Sequence, residues 1–165
     1  MITIDSIITE IINREGGSVN HPADRGDRTD KGISERAHPE VWADGKVTDE
    51  EARSIYLQEY VHRPGFDKIS DPHLMAQLVD FGVNSGPQLA VMKLQHILHV
   101  TIDGIIGVKT LQAIEAWQDT ESSKVKLNNL LMIERVKMIG RIVVRDKSQI
   151  AFLSGWLNRA LEFFR

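Results

Sequence analysis

Isoleucine recurs at positions 4, 7, 8, 11 and 12, the spacing that lines up apolar side chains on one face of a helix. Thr3 stands where a cap is needed, and Gly16-Gly17 where such a helix would stop. The pattern predicts a short amphipathic helix at the start of the chain. From Ser18 to Lys46 the periodicity vanishes, and Gly, Pro, Asp, Arg and His dominate. Irregular segments of this length are uncommon in compact domains and are usually functional.

Helical signals then return. Thr48-Asp-Glu-Glu51 is a capping box leading into Ala52, Ile55, Tyr56, Glu59 and Tyr60, with an end expected before Arg63-Pro64. Asp71-Pro72 caps and opens the next helix, through Leu74, Met75, Leu78 and Val79 toward Asn84-Ser85-Gly86. Pro87 starts another, with Val91, Leu94, Gln95 and Leu98 on its faces. Ile102-Asp103-Gly104-Ile105 reads as a tight turn with a minimal hairpin around it, before a helix from Val108 to Trp117. Two last helices are predicted at Ser122–Val144 and Ser148–Phe164. In the second, Trp156, Leu157, Ala160, Leu161 and Phe164 form an apolar face that should pack on the body. The expected architecture is mostly α.

A length of 165 residues with 42% hydrophobic content supports one domain, or a domain with a small appended lobe, and excludes disorder as the main theme. Cysteine is absent, which removes disulfides, thiolate metal sites and a Cys nucleophile. The apolar runs fall far short of the roughly 20 residues of a membrane helix, so no membrane insertion is expected. The N-terminus lacks a basic region and carries Asp5 and Glu10, unlike a signal peptide. Charge is uneven: residues 1–123 hold 11 Lys and Arg against 20 Asp and Glu, residues 124–165 hold 9 against 3. The basic end would suit an anionic polymer, although surface helices often carry such an excess without a partner.

The candidate chemistry lies in Glu15-Gly-Gly-Ser-Val-Asn20-His-Pro-Ala-Asp24-Arg-Gly-Asp-Arg-Thr29-Asp-Lys-Gly32-Ile-Ser34. Glu15 ends the first helix, where the helix dipole and the nearby Ile face both favour a neutral carboxyl, the state a general acid needs. Asp24 supplies a second carboxylate and Thr29 a hydroxyl. Sugar hydrolysis commonly pairs one protonated acid with one ionised carboxylate. The same residue types equally suit a solvated helix end followed by local Asx-type turns.

In fixed register, Glu15-Gly-Gly, Asn20-x-Pro22-x-Asp24-x-Gly26-x-x-Thr29-x-x-Gly32-Ile33 resembles the glycoside hydrolase family 108 N-acetylmuramidases, phage and prophage lysozymes. Downstream, Ile55-Tyr56 to Tyr60, Arg63-Pro-Gly-Phe66-Asp67 and Asp80-Phe-Gly-Val-Asn84-Ser-Gly86 resemble the family's next blocks. The stretch from Lys93 to Leu111 and the ending Phe152-Leu-Ser-Gly-Trp156-Leu-Asn-Arg159 are similar to its predicted peptidoglycan-binding region. The resemblance implies a lysozyme-like helical fold with a long irregular catalytic loop after the first helix. It implies a catalytic segment at 1–86, and a peptidoglycan-binding helical region at 87–165 packed with it as one compact unit. It also implies Glu15 as the catalytic residue. Asp24 and Thr29 follow by analogy with phage-type lysozymes, with a gap to Thr29 one residue shorter. Asp27, Lys31 and Val61 depart from the family's usual Gly, aromatic or Asn, and Trp.

Asn20, Tyr60 and Asn84 are the candidate glycan contacts. Asp80 and Asn84, one helical turn apart, could reach a common ligand, or Asn84 could cap the next helix. Trp42, in the irregular segment, could lean over a sugar, whereas Trp117 and Trp156 read as core. The segment from Gln95 to Thr110 could bind wall peptide or merely complete the fold. His21, Asp24, His38, Asp27 and Asp30 do not follow a zinc or EF-hand spacing, so no metal site is expected. No phosphate-binding glycine motif, nucleophile elbow or basic-aromatic interleaving is present, and nucleic acid is a poor match.

These readings imply a muramidase that cleaves after N-acetylmuramic acid, without a cofactor, acting on peptidoglycan as a monomer. The alternative is a non-catalytic peptidoglycan-binding or interaction protein on the same fold, and a zinc-dependent amidase or peptidase is a third reading. The resemblance and the missing signal imply synthesis in the bacterial cytoplasm, with a holin or secretion partner giving access to the wall.

Overall fold

A computed structural model describes residues 1–16 and 28–165. By its internal contacts the chain divides into two compact units, Met1–Arg63 and Pro64–Arg165. The helix at Pro72–Ser85 lies in the second unit.

In the first unit the opening helix α1 (Ile4–Glu15) starts at a reciprocal cap. Thr3 Oγ1 accepts from the Ser6 amide at 3.1 Å, and Ser6 Oγ accepts from the Thr3 amide at 2.9 Å. Two donors that helix geometry leaves orphaned are thereby satisfied. Ile7, Ile8 and Ile11 are buried, and α1 packs on α2 (Asp49–Leu57). The predicted Thr48/Glu51 box is formed, with the Glu51 amide 3.2 Å from Thr48 Oγ1 and the Thr48 amide 2.9 Å from Glu51 Oε2. Arg53 on α2 ties back to α1 through Asp5 at 2.6 Å and Thr9 at 2.9 Å. The helix does not run regularly to His62: Gln58–His62 is a π-turn, a wide turn often found near functional sites.

The region read as irregular contains a two-residue hairpin, β1 (Thr29–Asp30) and β2 (Ile33–Ser34), in antiparallel register Thr29 to Ser34 and Asp30 to Ile33. Its turn residues Lys31 and Gly32 have φ of 50° and 76°, the left-handed pair that matches the twist of a two-residue hairpin. Pro39–Trp42 forms a 3-10 turn. Trp42 is only 5% exposed, with the Arg28 guanidinium 5.2 Å from its ring centre. The expectation that it leans over a sugar is therefore corrected: it is a covered core side chain.

The second unit holds the other five of the seven α-helices among the described residues: α3 (Pro72–Ser85), α4 (Pro87–Leu98), α5 (Val108–Trp117), α6 (Glu121–Arg145) and α7 (Leu153–Leu161). Asp71 caps α3 by accepting from the His73 amide at 3.1 Å, with Pro72 at the first helical position. Between α3 and α4 the backbone runs close: a Cβ on Gly82 would lie 3.3 Å from Pro87 Cα and 3.6 Å from Phe66. Helix α6 buries one stripe, Leu127, Leu131, Met132, Arg135, Met138 and Ile139, and packs against α3, α4, α5 and α7. Asn128 and Asn129 bind the terminal segment, donating to the Phe163 and Arg165 carbonyls at 2.6 and 2.9 Å.

The mostly α expectation holds. Three details differ. No strand flanks the 102–105 turn. Lys147–Phe152 is a 3-10 turn, so α7 starts later than the periodicity implied. On α7 Ala160 is buried and Trp156 half-buried, but Leu161, and Phe164 beyond the helix, are open to solvent; Trp117, at the end of α5, is also half-buried. A face repeating in sequence is covered only as far as its partner helix reaches.

Candidate active site

Glu15 is the last residue of α1. Gly16 follows with φ of 70°, its amide donating to the Ile12 carbonyl at 3.3 Å. That positive φ turns the chain sharply away at no steric cost. Glu15 remains half-buried, at the end of a helix anchored by its Ile face.

The hairpin turn comes directly against the aliphatic stem of this side chain. A Cβ placed on Gly32 would meet the Tyr56 hydroxyl, and would lie 3.1 and 3.3 Å from Glu15 Cγ and Cβ. Only a residue without a side chain allows this approach. The fully buried Tyr56 donates its hydroxyl to the Lys31 carbonyl at 2.9 Å, fixing the turn from below.

Two neighbouring side chains hold the other edge. Asp30, 7% exposed, accepts from the Val47 amide at 3.1 Å, and Lys31 Nζ donates to the Val47 carbonyl at 2.6 Å. Asp49 lies 3.4 Å from the same ammonium. Lys31, read from sequence as a departure, is thus a clamp that occupies a left-handed backbone position. Arg28 adds a two-pronged bond to Glu35, both contacts at 2.8 Å, which holds the Glu35 carboxyl below the usual carboxylate range.

Tyr60, on the π-turn, stacks at a tilt on Tyr56 with ring centres 5.6 Å apart. Burial, reinforced by Glu59 and then Glu15, pushes its phenol above the ordinary range. The hydroxyl therefore stays protonated, a hydrogen-bond donor, at any working pH. Its sensitivity to Glu15 puts Tyr60 in the electrostatic neighbourhood of that carboxylate.

Of the sequence candidates, the first unit brings together Glu15 and Tyr60, with the half-buried Thr29 entering the hairpin whose turn Glu15 touches. Asn20 and Asp24 lie outside the described residues. Asn84 is exposed near the end of α3 in the second unit, and its amide donates to the Asp80 carbonyl at 3.3 Å, so it does not cap α4. Asp80 cannot share a ligand with it as expected. Its carboxylate is 4% exposed and pairs with Arg135 at 2.7 Å and Arg159 at 2.8 Å. Sequence reading missed Asp30, Lys31 and Tyr56 as supports. The Lys31-Gly32 dipeptide between Thr29-Asp30 and Ile33-Ser34 was the available hairpin signal.

Among the described residues no three His, Asp or Glu side chains converge as a metal site. His38 instead lies 3.2 Å from Glu40 and 3.7 Å from Glu59. His21, Asp24 and Asp27 lie outside those residues.

Residues 8–86 match the family model Glycosyl hydrolase 108, and residues 89–161 match the model Predicted Peptidoglycan domain. Residues 8–86 are thus a glycosyl hydrolase family 108 segment, followed by the predicted peptidoglycan domain, and together the two support a glycoside hydrolase acting on peptidoglycan. It is similar to the solved structure of SagA from Brucella abortus, at 26% identity and a TM-score of 0.67, covering 98% of this chain and 95% of that chain. No curated protein sequence matches it. No helix is long and apolar enough to cross a membrane among the described residues.

Proposed function

We propose that the protein is an N-acetylmuramidase, cleaving the β-1,4 bond between N-acetylmuramic acid and N-acetylglucosamine, with Glu15 as general acid. The observation that supports this most is the position of Glu15 at the end of a rigid helix, with a glycine turn held against it and a protonated phenol nearby. A general acid must be held in one place while its proton moves to the leaving oxygen. As the glycosidic bond breaks, that oxygen takes the Glu15 proton. Positive charge builds at the anomeric carbon, where Asp24 supports it, and Thr29 holds the water that completes hydrolysis.

Asn20, Tyr60 and Asn84 serve as glycan contacts. Tyr60 suits this role because its hydroxyl donates while its ring offers an apolar face to a sugar. Peptidoglycan is the partner of both matched segments. The protein acts as a monomeric phage-type endolysin, made in the bacterial cytoplasm and reaching the wall through a holin or secretion partner.

The test incubates wild type and Glu15→Gln with isolated peptidoglycan, with and without chelator, and identifies the new reducing ends by mass spectrometry. Muramic-acid ends made by wild type, at a rate at least about a hundredfold above the variant and unaffected by chelator, are the expected result. Glucosamine ends would move the cut to the other bond. No ends from either protein, with wall binding retained, would replace the muramidase reading with a peptidoglycan-binding protein.

A further inference from the structure

The end of α6 and the 3-10 turn after it present three large apolar side chains to solvent. Val144 is 78% exposed, Ile150 63% and Phe152 56%. The display is not a frayed tail. The turn packs on both α6 and α7, and Phe152 stacks on Trp156 with ring centres 5.7 Å apart and planes at 27°.

Cations frame this tip. Arg141, Arg145 and Lys147 are all exposed, and none has a carboxylate partner among the described residues. Elsewhere in the same unit Lys124 and Arg165 pair with Glu121, and Lys93 and Lys137 with Glu134, while Lys68, Lys109 and Lys126 are single exposed cations that do not cluster as these three do. Asp146, the one acid within the tip, is spent locally, accepting from the Ser148 amide at 3.0 Å, the Ser148 hydroxyl at 2.6 Å and Gln149 at 3.2 Å.

We propose that this tip docks the protein on an anionic lipid surface. Val144, Ile150 and Phe152 enter the boundary between headgroups and acyl chains, and Arg141, Arg145 and Lys147 lie among the headgroup phosphates. Apolar side chains flanked by unpaired cations match that boundary, which offers hydrocarbon and negative charge at adjacent depths. An anionic wall polymer would satisfy the cations but has no hydrocarbon for the three apolar groups. A second copy on the same face would set like charges against each other. Docking is interfacial, since no described helix is long and apolar enough to span.

The test sediments the full chain with vesicles of phosphatidylcholine alone or mixed with phosphatidylglycerol, at low and high salt. Wild type is expected to bind the anionic vesicles about tenfold more tightly than the neutral ones, and to be released by salt. Ile150→Asp/Phe152→Asp and Arg141→Gln/Arg145→Gln/Lys147→Gln should each weaken that binding about tenfold with helicity unchanged. If the double aspartate variant loses helicity, Val144→Ser, at the most exposed site, carries the same test with a loss of about threefold. Absence of binding to anionic vesicles overturns the proposal, as does binding that survives the aspartates. So does a wild-type dimer that the aspartates split, which would assign the tip to a second copy.

Discussion

Two loops of this molecule are held in opposite ways. Around the hairpin, residues 28–49 are secured by several separate contacts: the exposed ionic Arg28–Glu35 bond, the half-buried Lys31 bond to the Val47 carbonyl with Asp49 beside it, and the buried Asp30 bond to the Val47 amide. In the peptidoglycan domain, the 102–105 turn is secured by one neutral, fully buried side chain. Gln95 Nε2 donates to Asp103 Oδ1 at 2.7 Å, the Ile105 carbonyl at 3.0 Å and Thr110 Oγ1 at 3.1 Å, while its Oε1 accepts from the Asp103 and Gly104 amides at 3.0 and 2.9 Å. The Arg28–Glu35 bond of the hairpin is open to salt and acid, whereas at the Gln95 turn acid acts through the Asp103 carboxylate, which the Gln95 amide holds below its usual range.

The sharpest way to break this contrast is Gln95→Ala, which removes five hydrogen bonds from the turn, one of them to the buried Thr110, and leaves a cavity in place of a fully buried side chain. It should cost about 3 kcal/mol, measured by urea unfolding, with faster amide exchange at Asp103 and Gly104. A loss no greater than that of a surface substitution would mean the turn holds itself.

Gly32→Ala should come next, at about 2 kcal/mol, from its left-handed φ and from the collision with the Tyr56 hydroxyl. Removing that oxygen in Gly32→Ala/Tyr56→Phe relieves the collision, so the double variant should lose less than the two single losses added together. Strict additivity would show that the collision contributes nothing. Because Glu15 touches the same turn, Gly32→Ala should also lower hydrolysis of peptidoglycan.

Lys31→Met should cost about 1 kcal/mol, most of it regained by neither salt nor pH, since the bond to the Val47 carbonyl is half-buried. The Arg28–Glu35 bond should have the smallest effect. Glu35 is held below its ordinary range by Arg28, so its contribution is present above the unfolded carboxylate pKa and is lost as pH falls through the lower folded value. Glu35→Gln should remove that acid dependence and reduce the salt sensitivity of local exchange near the hairpin.

Titration of Tyr60 sharpens the site itself. Its phenol should ionise above the ordinary value near 10, and Glu59→Gln or Glu15→Gln should each bring it down, read by ultraviolet difference spectra. No change on Glu15→Gln would separate Tyr60 from the proposed acid. By the same linkage, its contribution to stability is full below the unfolded value and is lost as pH rises through the higher folded one.

Helix starts were legible from the chain because their causes are local. Thr3, Thr48 with Glu51, and Asp71-Pro72 each bind backbone within three residues. The position of Glu15 at the end of α1 was legible for the same reason. The hairpin was not, because it carries Lys where a two-residue turn usually shows Asn or Asp. That choice makes sense only once Val47 is seen to receive its side chain. The π-turn around Tyr60 also left no mark in the periodicity.

By itself, then, the sequence determined the helical elements, their caps and the family motif that singles out Glu15, since each depends on neighbours a few residues apart or on residues in fixed register. Tertiary structure alone decided what the long-range polar side chains do. Asp80 turned from a candidate ligand contact into the partner of Arg135 and Arg159, 55 and 79 residues away in the chain. Trp42 turned from a candidate platform into core beneath Arg28. A buried charge or ring takes its role from whatever the fold places against it, and no local pattern records that partner.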